Sequence, residues 1–148
     1  RIKGIGIQGI DIAGMGGTSF AAVELYRAMN AGDEIRTNIG ETFFDWGIPA
    51  PASVLEAKGC GLPIIASGGI LDGTHIAAAI SLGAACGGVA NAVLREATES
   101  ADAVKKKLTV LKEELRAAML LTGSKDLKAL AGTRHVILGE TRQWIDAL

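Results

Sequence analysis

The chain has two cysteines, Cys60 and Cys86, and two histidines, His75 and His135, in 148 residues. It contains no CxxC pair and the histidines stand far apart, which excludes a disulfide framework and the usual zinc-ligand spacings. Both cysteines are therefore expected as small buried hydrophobes. Neither sign of charge dominates: Lys+Arg 15 against Asp+Glu 16 leaves a formal net charge of −1. There is thus no broad basic field for nucleic acid or an anionic membrane, and an anionic ligand would have to be held locally. No apolar run approaches the ~18 residues of a membrane span, and the start Arg-Ile-Lys-Gly has no signal-peptide hydrophobic region. These absences make a cytoplasmic protein with no membrane or nucleic-acid partner the expectation.

What is present is an ordinary globular composition, 49% hydrophobic and 21% charged, in a repeating order. An Ile-rich strand at residues 9–13, suited to burial on both faces, ends in Gly14, Gly16 and Gly17. Thr18-Ser19 then cap a helix from Phe20 to Arg27. From Asn30 to Pro51 the pattern dissolves into a long loop around Phe43, Asp45 and Trp46, followed by a short helix over 53–57. A second strand, 62–67, stops at Gly68-Gly69 and leads, after Asp72-Gly73-Thr74, into a helix running through Ile76 to Leu82. A third, 86–90, precedes helical sequence from Ala92, then a long helix whose Val104, Leu108, Leu111, Leu115 and Met119 keep helical spacing. The tail reads as a short helix over 126–130, an apolar stretch at 135–138, and a last helical turn capped by Thr141. Three strand-helix units in series predict an α/β fold with a parallel sheet. The chain reads as one domain, 1–148, with 101–148 as its helical extension.

Glycine after each strand is the strongest chemical signal, because parallel α/β folds bind ligands at the carboxyl ends of their strands. At Gly68-Gly69-Ile70 the backbone can turn N–H groups toward one anion, to which the next helix adds its positive end. A phosphate suits such a place, and simple tight turns would explain the same glycines. Gly14-Met15-Gly16-Gly17 is no dinucleotide fingerprint, since its third glycine would fall at Ser19. Thr18 and Ser19 can serve a phosphate or the helix cap. Asp11 reads as a strand acid tying down neighbouring loops, and Glu24, one turn after Phe20, as either a solvated or an active-site acid. His75 and His135 read as structural or exposed, and no residue is a metal-ligand candidate.

The segments GIDIAGMGGTSFAAVE (9–24), FFDWGIPAPASVLEA (43–57), LPIIASGGILDGTHIAAAISLGA (62–84) and AAMLLTGSKDLKAL (117–130), taken in order, resemble the type 2 isopentenyl-diphosphate isomerases. The resemblance implies a (β/α)8 TIM barrel of which this chain supplies only the C-terminal portion, strands six to eight with their helices. Such a barrel takes roughly 250 residues, and the absence of an initiating methionine agrees with a fragment. It further implies FMN, used in reduced form as an acid/base through N5, with Mg2+ and NADPH serving the complete enzyme. The substrates would be isopentenyl and dimethylallyl diphosphate, and the assembly a homo-oligomer. Thr18, Gly69, Ile70, Leu71, Ala90 and Asn91 match flavin-contacting positions, and Glu24 matches an acid near the active site. The magnesium-binding glutamate and most diphosphate contacts would belong to earlier strands. Four residues depart from the family pattern: Ala13 where serine is common, Phe20 where tryptophan is, and Leu71 and Asn91 where arginine is.

Two other readings remain: another FMN barrel, such as a 2-hydroxy-acid oxidase or a glutamate-synthase-like protein, or a non-catalytic partial barrel that binds phosphate. Three strands alone would leave unpaired edges, so such a piece should self-associate.

Overall fold

A computed structural model describes residues 2–17 and 19–147. Three parallel strands, β1 (Ile10–Ala13), β2 (Ile64–Ser67) and β3 (Cys86–Gly87), form one sheet in the order β1-β2-β3. Ile10 lies beside Ile64 and Ala13 beside Ser67, so the carboxyl ends of β1 and β2 are level; Ile65 pairs with Cys86. The crossover from β1 to β2 carries α1 (Phe20–Ala31), α2 (Glu34–Thr42) and α3 (Ala50–Lys58); α4 (Gly73–Leu82) joins β2 to β3. After β3 come α5 (Asn91–Glu99), α6 (Ala101–Leu121), α7 (Leu127–Ala131) and α8 (Gly139–Asp146).

Strands this short hold together through the face they bury. Ile64 and Ala66 of β2 pack against Val54 of α3 and Ala79 of α4, with Ala84 closing the cluster. A second cluster joins α4 to α6 and α7 through Ala77, Ile80 and Leu130, with Leu115 and Met119 alongside. The other face of the sheet is open: Asp11, Ala13, Ile65 and Cys86 are exposed. Burial of the first strand on both faces, expected from its composition, is therefore not found, because α3 and α4 cover one side only. For the same reason Cys86 is exposed; Cys60, in the turn after α3, is half-buried, against the expectation of two buried thiols. The chain exposes 10120 Å2, roughly 3000 Å2 more than a compact monomer of its 15.2 kDa mass. That excess is of the order of an obligate interface.

Three further expectations are corrected. The stretch 30–51 is not one loop, since α2 occupies its middle, capped by Asp33, which accepts from the Arg36 N–H at 3.0 Å. This helix docks on α1 through Gly40 against Leu25 while Ile35 and Ile39 stay exposed, so its contact leaves no apolar stripe in the sequence. The third strand is two residues long, because Gly88 and the residues after it turn into α5. Thr141 lies inside α8, whose first residue is Gly139, and caps nothing.

Candidate functional site

The glycine turns after β1 and β2 are packed directly on one another. A side chain on Gly16 would meet the Gly68 carbonyl oxygen at 2.9 Å and one on Gly17 the Gly69 Cα at 2.8 Å. Gly68 and Gly69 have φ of +86° and +87°. The glycines thus do serve tight turns, and their closer task is to let two backbones touch. What the touching turns frame is a cavity of about 280 Å3 at the carboxyl ends of all three strands. Asp11, Ala13 and Gly17 line it from the β1 side, residues 67–71 from β2, and residues 88–91 from β3.

The donors facing a ligand there differ from those the sequence suggests. The N-terminus of α4, expected to add its positive end, is already occupied. Asp72 accepts from the Thr74 and His75 N–H groups, both at 2.9 Å, and Glu114 of α6 accepts from the Gly73 N–H at 2.8 Å. The Leu71 N–H donates to His75 Nδ1 at 3.3 Å. By contrast α5 begins at Ala90 with no side-chain cap, which leaves its first N–H groups to a ligand. Among the described residues, the N–H groups of Gly69, Ile70, Asn91 and Ala92 donate to no backbone or side-chain acceptor of the chain. Of these residues, Gly69, Ile70 and Asn91 line the cavity. Such an arrangement fits a phosphate held by neutral dipoles; among the described residues, Asp11 is the only charged one in the lining.

Asp72 makes α4 testable. Its carboxyl is held below the usual carboxylate range, first by the Thr74 hydroxyl at 2.6 Å and then by the His75 N–H. A depressed folded pKa stabilises the protein fully above the unfolded value and loses that contribution as pH falls through the folded one. Asp72→Ala is expected to cost about 1 kcal/mol at neutral pH. The gap between the unfolding midpoints of the two proteins should narrow as pH falls below about 4; a gap of unchanged size in acid would show that the carboxylate charge contributes nothing to the cap.

Of the residues singled out in the sequence, the fold brings Gly69, Ile70, Leu71, Ala90 and Asn91 together around the cavity, while Thr18 lies outside the described residues. Ser19 is committed to the helix, accepting from the Ala22 N–H and donating to the Phe44 carbonyl, both at 3.1 Å. Glu24 lines a different cavity, between α1 and α2, where it pairs with Arg27 at 2.6 Å with its side chain exposed. Asp11, expected to tie down neighbouring loops, instead joins the strands β1 and β2, accepting from Ser67 Oγ at 2.6 Å. Ser67 and Glu114 are the polar groups that sequence reasoning missed. Ser67 carried a signal, standing immediately before the paired glycines, whereas Glu114 reads as one more solvated helix acid. Phe20 and Trp46, both exposed, line a third cavity beside Ala13 and Met15 at the end of β1. The described residues include no metal-binding cluster and no helix long and apolar enough to cross a membrane.

Comparison with known proteins agrees with this geometry. The chain is similar to the isopentenyl-diphosphate delta-isomerase of Thermoplasma volcanium, 43% identical over 146 residues that make up 99% of this chain and 42% of that protein. It is also similar to those of Picrophilus torridus, 43% identical over 95% of this chain and 40% of that protein, and Methanococcus maripaludis, 43% over 99% and 41%. The chain therefore spans about two fifths of the length of these relatives. The family model of the FMN-dependent dehydrogenases matches residues 5–137, nearly the whole sequence and all of the strand-end cavity. The chain belongs to the family of FMN-dependent dehydrogenases.

Proposed function

We propose that this chain is the flavin-phosphate-holding portion of an FMN- and Mg2+-dependent enzyme that interconverts isopentenyl and dimethylallyl diphosphate. In this reading its strands are the sixth to eighth of a (β/α)8 barrel. The observation that carries it is the strand-end cavity, whose lining residues 69, 70 and 91 have free N–H groups, within the region matched by the FMN-dependent family. The relatives' names supply the reaction. When bound, reduced flavin supplies the acid and base for moving a proton between allylic carbons, with NADPH as its reductant.

The chain's own residues would hold the cofactor's tail. Gly69 and Ile70 offer backbone donors, and Ala90 and Asn91 open the helix end of α5 to the phosphate. Leu71 and Asn91, where arginine is frequent in relatives, leave the grip without a positive charge, so binding should depend weakly on salt. Thr18 would add a hydroxyl. Glu24, one turn into α1 with an exposed carboxylate, would act as the acid near the substrate once the rest of the barrel is in place. Support for a soluble, cytoplasmic homo-oligomer is the lack of a membrane-length apolar helix among the described residues and the large exposed area.

The test is the complete protein, reduced anaerobically with NADPH and supplied with Mg2+ and isopentenyl diphosphate. Dimethylallyl diphosphate is the expected product, and oxygen uptake on a 2-hydroxy acid without isomerisation would replace this reading with an oxidase. The 148-residue chain alone should bind FMN weakly and turn over nothing; rapid isomerisation by it would overturn its role as a portion.

A further inference from the structure

Two adjacent glycines at positive φ form the part of the turn that presents the Gly69 and Ile70 N–H groups, and glycine has more backbone freedom than any other residue. Something must hold that turn in one shape. One side is held by the backbone contacts with Gly14 and Gly16. On the other side stands Ser67, the residue before the turn, whose side chain meets the ends of both neighbouring strands. Its Oγ lies 2.6 Å from Asp11 Oδ1 and 2.8 Å from the Ile12 carbonyl oxygen. Its Cβ is so close to the residue after β3 that a side chain at Gly88 would meet it at 3.0 Å. A serine hydroxyl has one proton, so the two acceptors of β1 share it and fix the rotamer from two directions.

We propose that Ser67 is a positioning residue for the phosphate-bearing end of the ligand, and that Asp11 acts through it. This inference rests on the flavin reading above. Ser67 leaves the binding donors in place and sets where they point. Asp11 contributes an acceptor, and its charge plays no part in holding the turn. That charge opposes the phosphate.

The measurement is equilibrium binding of FMN and of riboflavin to the complete protein, followed by flavin fluorescence. The ratio of the two affinities isolates the phosphate. Ser67→Ala should lower that ratio about tenfold, the loss expected when bound N–H donors are misdirected, while riboflavin affinity stays within about twofold. Asp11→Asn keeps an acceptor for the hydroxyl and removes the charge, so the ratio should hold or rise about threefold. Should Ser67→Ala not fold, Asp11→Ala is compared with Asp11→Asn, which removes the same charge but keeps the acceptor, and should have the lower ratio of the two. Equal losses for FMN and riboflavin in Ser67→Ala, an unchanged ratio, or a fall of the ratio in Asp11→Asn would each overturn the proposal. Failure of the flavin reading looks different: the unaltered protein would then bind FMN no more tightly than riboflavin.

Discussion

Gly69→Ala is expected to destabilise the complete protein by about 3 kcal/mol, through two costs of similar size. The first is conformational, since φ at this position is +87°, where a β-carbon crowds its own backbone. The second is steric: the new β-carbon would overlap the carbonyl oxygen of Gly16, a backbone atom that can retreat only if the whole β1 turn moves. Gly123→Ala separates the two, because Gly123 has φ +67° and open space around it; it should cost about 1 kcal/mol. Urea unfolding of both variants measures the difference as a shift of midpoint at constant slope. Equal shifts would mean that the two turns part without cost and that their contact does not shape the cavity. The same variant should also abolish selective binding of FMN over riboflavin, since the Gly69 and Ile70 donors sit on the displaced turn.

Ile64→Ala is the second large effect, about 4 kcal/mol, near the upper end for a buried isoleucine. Ile64 is 2% exposed and its cluster is made of Val54, Ala66, Ala79 and Ala84. Alanine side chains have no rotamers with which to fill the space an isoleucine leaves, so most of the cavity persists. The next residue provides an internal comparison. Ile65 points to the open face and is 39% exposed, so within the sheet as it stands its truncation removes little burial and should cost below about 1 kcal/mol. In a complete barrel that face becomes interior, and Ile65→Ala should then approach the cost of Ile64→Ala. Thermal or urea unfolding of the two variants in the complete protein therefore tests directly whether the exposed face is covered. A persistently small effect at Ile65 would argue that it stays open.

Most of the element order was legible from local pattern. Ile-rich segments ending in glycine located β1 and β2, the regular spacing of Leu111, Leu115 and Met119 located α6, and Ser19 behaves as the cap its residue type suggests. Where local pattern failed, the cause was a contact with no hydrophobic signature. α2 docks by a glycine, and Cys86 looks like core but lies on a face that none of the described residues covers.

Residue types and spacing alone determined that the chain is α/β, that glycine turns follow its strands, and that any phosphate must be met without a strong field. They also carried the family resemblance, because motif order is a property of the chain. Which donors remain free at those turns was settled only by the tertiary structure. Glu114, 41 residues downstream of Gly73, closes the start of α4, and Ser67 reaches 56 residues back to Asp11. Hydrogen bonds form between groups that folding brings within about 3 Å, and neither periodicity nor propensity encodes that proximity. The helix that looked ready for an anion is therefore already filled by carboxylates, and the one after the shortest strand is open.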